Sequence, residues 1–274
     1  MAEFSPKLKE ALSLVQKPGR YTGGETGCTY KDKANVDVRM AFCFPDTYEI
    51  GMSNIGMRIL YGLMNELPGV WCERVFAPWG DMEEKMREHA IPLYALESHD
   101  PVRAFDLIAF TIGYEMSYTN ILNMLDLSGV PLLARERKEL ENIVFAGGVC
   151  AVNPEPLADF IDFFSFGEGE EITKEILACY RQAKKDGCSK EEFLLRVSRI
   201  DGVYVPSFYE HSYNPDGMLA AITPKNGAPA KVRKRIVQDM DAAYFPTKTI
   251  VPSTEIVHDR TNLEIFRGCI RGCR

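Results

Sequence analysis

Short apolar runs alternate along this chain with longer stretches that are apolar on one face only. Val38–Phe44 (VRMAFCF) is rich in strand formers and is closed by Pro45. A run of that length bounded by a breaker reads as a strand buried on both faces. Ile55, Ile59, Leu60, Leu63, Met64 and Leu67 follow at helical spacing, with Ser53 and Asn54 as start residues and Pro68-Gly69 as the stop. Residues 45–52 between them are expected to form a loop. The alternation then repeats. Strands are predicted at 71–77, 106–112, 142–146 and 161–166, and 93–96 forms a short extended piece. Helices are predicted after Asp81, after the 106–112 strand as far as Gly129, and from Glu170 onward. Five strands alternating with helices imply a three-layer α/β sandwich with right-handed crossovers.

The flanks are patterned differently. Residues 1–36 form an N-terminal extension whose Ser5-Pro6 pair opens a helix that ends by Pro18-Gly19. The glycine-rich YTGGETG at 21–27 lacks the Lys-Ser/Thr of a phosphate-binding loop and has no strand before it, so it reads as a plain loop. The α/β unit covers 37–186. Within 187–247, Ser189 caps a helix, and two extended runs are joined by Asn214-Pro215-Asp216-Gly217, a hairpin signal. Polar residues 225–247 read as a linker, and their KVRKR cluster at 231–235 as a solvated face. Residues 248–274 turn extended again.

Composition narrows the class. The 274 residues, 46% hydrophobic, suffice for one substantial core and an appendage. A net charge of −7 argues against a nucleic-acid-binding surface over the whole chain. No stretch has the length of a membrane span and no secretory signal is present, so eight cysteines point to a reducing compartment, the cytoplasm. Cys43 and Cys179 read as buried free thiols.

Candidate chemistry gathers at loops leaving the carboxyl ends of strands, where parallel α/β sheets bind ligands. It also gathers at Cys269 and Cys273, two thiols four apart after the strand-like NLEIF. Zinc sites prefer a Cys-x2-Cys pair. EIFRGCIRGCR instead resembles the opening of the radical S-adenosylmethionine (radical SAM) motif, Cys-x3-Cys-x2-Cys, on the loop after the first barrel strand. That resemblance implies three thiolates on a [4Fe–4S] cluster whose fourth iron chelates S-adenosylmethionine (SAM). The third cysteine would fall three positions after Cys273. The expectation is therefore a chain cut inside the motif and inactive alone.

A second resemblance lies in the α/β unit. Asp46-x-Tyr48-x-x-Gly51 resembles the Asp-x-His-x-x-Gly loop of cobalamin-binding domains, with tyrosine in place of the histidine that ligates cobalt. A phenol of pKa about 10 replaces imidazole poorly, which implies a lower cobalt face without a protein nitrogen. Gly147-Gly148 match the small-residue pair beside which the nucleotide tail passes, and Thr111 matches the family's hydroxyl position. Gly167 and Gly169, in GEGE after the fifth strand, are similar to those of cobalamin-binding radical SAM proteins. Together these features resemble B12-binding-domain-containing radical SAM proteins.

The resemblance implies a flavodoxin-like, cobalamin-binding-type parallel sheet of five strands, order 2-1-3-4-5, with helices on both faces. A small α+β linker and the start of a radical SAM barrel, on which the α/β unit packs, would follow. It implies a [4Fe–4S] cluster that cleaves SAM to a 5′-deoxyadenosyl radical, with cobalamin as methyl carrier and the substrate unspecified. Two alternatives stand beside it. One is a flavodoxin-like lid or interaction domain that has lost cobalamin. The other is a methylthiotransferase-like radical SAM enzyme, which needs a second three-thiol cluster; Cys28, Cys43, Cys72 and Cys150 are candidates by number. Plainer roles are also available. The loops would simply close the sheet, Asp46 would serve as a cap, and Glu168 and Glu170 would cap the following helix. His89, His99, His211 and His258 show no metal spacing.

Overall fold

The central strand β1 (Val38–Phe44) pairs in parallel with β2 (Val70–Phe76) on one side and β3 (Leu107–Thr111) on the other. β4 (Ile143–Gly147) and β5 (Phe163–Ser165) continue the sheet in parallel. A two-residue strand, β6 (Val203–Tyr204), closes the edge antiparallel to β5. This computed structural model describes residues 4–268, 271 and 272. Strand order is β2-β1-β3-β4-β5-β6, so the sheet has six strands and is mostly parallel. The five-stranded expectation missed β6, whose residues were assigned to the hairpin. The hairpin is instead β7 (Tyr209–Tyr213) with β8 (Leu219–Pro224). Val203 and Tyr204 are buried and cover the free edge of β5, which would otherwise present unpaired backbone groups.

Helices cover both faces. α1 (Pro6–Leu14), α4 (Gly80–His89) and α5 (Tyr118–Ser128) bury Leu8, Met82, Met86, Ile121 and Met124 against one face. α3 (Ile55–Glu66), α6 (Gly169–Asp186) and α7 (Lys190–Val197) bury Met57, Met64, Ile176, Tyr180 and Phe193 against the other. Ser5 caps α1 and Ser189 caps α7 through a reciprocal box with Glu192, as the sequence indicates. The loop expected at 45–52 differs: Tyr48–Ser53 is a short helix, α2. Extended Asn54 separates it from α3, and the Asn54 side chain accepts from the Met57 amide. None of the described helices is long and apolar enough to cross a membrane.

The outer edge of β2 is covered by side chains rather than by another strand. Asn65 of α3 donates to the Cys72 carbonyl (2.9 Å) and accepts from the Cys72 amide (3.1 Å). Glu97 accepts from the Arg74 amide (2.7 Å), the Leu96 amide donates to the Arg74 carbonyl, and Lys31 donates to the Val70 carbonyl. Residues 70, 72 and 74 alternate toward that edge, so all their outward groups are served. Asn65→Leu strands two buried backbone groups and is expected to cost about 1–3 kcal/mol in urea unfolding. A change under about 0.5 kcal/mol would show that water replaces the amide.

Residues 225–247, read as a linker, are tied to the α/β unit, and so are residues that follow them. Arg235 forms a parallel bridge with Gly167, Ile250 is buried, and the Val251 amide donates to the Thr26 carbonyl. Residues 262–266, read as strand-like, form no strand. Leu263, Ile265 and Phe266 are exposed, and no strand lies beside them among the described residues to complete a ladder.

Candidate functional site

At the carboxyl edge of the sheet the layer between strands and α3/α6 opens into a cavity of ≈ 250 Å³. Phe42, Ala109 and Phe145 from three strands face Leu60 and Met64 of α3 and Thr173 of α6 across it. Its rim is residues 111–113, 147–149, 165, 167 and 169, the turns that leave β3, β4 and β5. Glycines keep this edge thin. A Cβ on Gly147 would lie 2.7 Å from Ser165 Oγ, and one on Gly169 would lie 3.0 Å from the Leu60 methyls. Gly148 has φ +102° and comes so near Ile112 that a Cβ would stand 2.5 Å from that carbonyl oxygen. The polar side chains on the wall are Asn54, Thr111, Ser165 and Thr173, and among the described residues none of the lining is ionisable. Such a site can bind and orient a flat apolar group with a few hydrogen bonds. The described lining residues offer no general acid or base.

Of the residues singled out from sequence, Thr111, Gly147, Gly148, Gly167 and Gly169 meet at this cavity. Asp46, Tyr48 and Gly51 do not line it. Tyr48 is 1% exposed, and its hydroxyl donates to Glu25 Oε1 (2.8 Å). Burial, reinforced by that carboxylate, pushes its pKa well up. Gly51 sits in α2 where a Cβ would strike the Phe76 ring, which explains the glycine by helix–sheet packing. Asp46 accepts from the Thr47 amide (2.7 Å) and from the Tyr114 hydroxyl. Cys269 and Cys273 lie outside the described residues.

Glu168 and Glu170 do not cap α6 by side chain. Glu168 stands at the N-cap position without a capping bond, and its carboxylate accepts from the Val237 amide. Among the described residues no three His, Cys, Asp or Glu side chains come together as a metal site. Burial pushes the thiols of Cys28, Cys43 and Cys72 up, away from the thiolate form a cluster needs.

Sequence reasoning missed the cavity's helical wall, because Leu60 and Met64 fit the buried stripe of α3 equally well. It also missed an apolar fringe: Trp79, Tyr114, Met116, Val149 and Val152 are exposed on the turns after β2, β3 and β4. Apolar residues directly after strand ends were the available signal.

Comparison with known proteins places this geometry in a family. Residues 56–206, from α3 to just past β6, match the family described as "Radical SAM proteins, N-terminal". The chain is 26% identical over 241 residues to an uncharacterized protein of Methanocaldococcus jannaschii, covering 86% of this chain and 40% of that relative. It thus spans less than half of the relative's length. No solved structure matches the chain at a significant level. With more than half of its residues inside the match, including four strands of the parallel sheet and most of the cavity, this chain belongs to the radical SAM N-terminal family.

Proposed function

We propose that the chain is the part of a radical SAM enzyme that precedes its barrel, and that the carboxyl-edge cavity holds the nucleotide tail of a cobalamin. The observation that carries the second half is the convergence of Thr111, Gly147, Gly148, Gly167 and Gly169 on one apolar cavity of a family member. An apolar cavity of ≈ 250 Å³ with a few polar groups suits a heteroaromatic group. Thr111, Ser165 and Asn54 would hold the tail, and Gly147 leaves room beside the backbone. Tyr48 supplies no ligand to a metal, since its hydroxyl is occupied by Glu25. The exposed fringe of Trp79, Met116 and Val149 is where the barrel of the same polypeptide would pack.

A [4Fe–4S] cluster, when bound, would supply the one electron that cleaves SAM to methionine and a 5′-deoxyadenosyl radical, and a cobalamin would serve as methyl carrier. The part assigned to this chain is to bind and orient the corrinoid and, through Cys269 and Cys273, to contribute thiolates to the cluster. The cytoplasm is the proposed compartment, where thiols stay reduced. The buried orientation of Tyr48 favours one second reading, a lid that packs on the barrel without cobalamin. The methylthiotransferase-like reading needs a second thiol triad, and none is assembled among the described residues.

Titrating hydroxocobalamin into the full-length protein, followed by absorbance, tests the cavity. Leu60→Trp fills the cavity from its half-exposed wall and is expected to weaken binding by about tenfold or more without lowering Tm. Binding to both forms alike would place the cofactor elsewhere. Binding to neither would support the lid. Independently, Cys269→Ala or Cys273→Ala in the full-length protein is expected to abolish the cluster's absorbance after anaerobic reconstitution.

A further inference from the structure

The acidic start of α6 carries more charge than a helix N-terminus requires. Glu168, Glu170, Glu171 and Glu175 all lie in or beside its first two turns. Two arginines from the returning segment serve them, at different heights. Arg235 pairs with Glu175 (2.6 Å) and Glu171 (3.0 Å), while its backbone bridges Phe166 (2.8 Å) and Glu168 (3.0 Å). Arg267 pairs with Glu170, which is 7% exposed, and reaches Glu168 at 3.6 Å. It also binds Glu264 through Nε at 2.8 Å and through a terminal nitrogen at 2.7 Å, so the guanidinium fork is held on both sides.

The placement gives this clasp its meaning. Gly167 and Gly169, which alternate with Glu168 and Glu170, form part of the cavity rim. Arg267 stands two residues before Cys269 in the chain. Leu263, Ile265 and Phe266 are exposed, so at residues 263–267 ion pairs rather than apolar burial fix the path. We propose that Arg267 is a positioning residue, mooring the segment that leads into Cys269 to the cavity rim through Glu170 and Glu168. The pair ties residues 264–268 to the rim of the cavity. Its bearing on a cluster rests on the function proposed above, whereas the mooring itself does not.

Arg267→Glu sets a carboxylate among Glu168, Glu170 and Glu264, which repels the segment. Glu170→Arg repels Arg267 from the other side, and the double variant restores a pair of opposite sign. Hydrogen exchange of the full-length protein provides the direct readout. Each single variant is expected to raise exchange of residues 260–268 by about tenfold or more, with the sheet unchanged, and the double variant to recover most of the protection. Iron per chain after anaerobic reconstitution should follow the same order. Unchanged exchange in Arg267→Glu overturns the mooring. Exchange that rises in the single variants while their iron stays at the wild-type level overturns the positioning role. If the wild type itself takes up no iron, the cluster reading fails, and the mooring is decided by exchange alone.

Discussion

Replacing Arg74 with methionine is expected to cost about 3–5 kcal/mol of folding stability at pH 7.5, because it leaves two carboxylates buried without their counter-ion. Arg74 belongs to β2 and its side chain is 1% exposed. Nε donates to Glu97 Oε1 (2.7 Å), and the terminal nitrogens donate to both oxygens of Glu25 (2.8 and 3.0 Å). Tyr48 adds a hydrogen bond to Glu25, and the Arg74 amide one to Glu97. Burial opposes ionisation of Glu25, but Arg74 and Tyr48 overcome it and hold its pKa down at about 2.

The sign of the pH dependence follows. In the wild type a folded pKa below the unfolded value adds stability that is present above about pH 4.5 and is lost as pH falls toward 2. In Arg74→Met, burial with no cation raises the Glu25 pKa above the unfolded value. The deficit relative to wild type should therefore be largest at neutral pH and smaller at pH 5. Adding Glu25→Gln should recover part of it. Urea unfolding at both pH values measures this, and a neutral-pH loss below about 1 kcal/mol would mean that water enters to solvate the carboxylates.

Glu73 should produce the second large effect, with the opposite sign. Its side chain is fully buried beside Arg39 (2.5 Å), and Oε2 accepts from the Ser98 amide (3.0 Å). Burial, with a smaller push from Glu97, outweighs Ser98 and Arg39 and lifts its pKa to about 7. The folded state then binds a proton that the unfolded state has released. Stability should decline as pH rises from about 4.5 to 7, by about 3 kcal/mol from this group. Glu73→Gln should flatten that slope, and Arg39 keeps Asp100 (2.7 Å) as a partner in the variant. Unfolding midpoints in urea between pH 4.5 and 8 provide the check. A slope that persists in full in Glu73→Gln would assign it to another group.

Both effects arise from residues that the linear pattern treats as unremarkable. Glu25 lies in YTGGETG, a glycine-rich stretch with the composition of a solvent-exposed loop, and it is buried only because β2 presents Arg74 to it. A charged residue in a strand gives no sign of facing a second charge about fifty residues away. The same holds for Arg235, which reads as part of a basic surface cluster until α6 supplies Glu171 and Glu175.

The sequence pattern did establish strands β1 to β5, the helices α3 and α6, and the caps at Ser5 and Ser189. Each of these depends on a local rule: a run long enough to cross a sheet, a stripe at helical spacing, or a side chain that reaches its own helix start. Because parallel strands place their carboxyl ends on one edge, the turns after β3, β4 and β5 could be assigned to one site, and Thr111, Gly147 and Gly167 do meet there. Three other features depended on distant contacts. The two-residue β6 is too short for any period and exists because β5 has a free edge. Tyr48 matches a ligand position in its loop pattern, yet Glu25 offers its hydroxyl a buried partner away from the cavity. Residues 225–247 are polar and low in periodicity, and Arg235 among them is placed by the carboxylates of α6 rather than by a buried stripe. Solvent exclusion along one element can be read from spacing, whereas a charge pair between remote elements forms only after the sheet has brought them together.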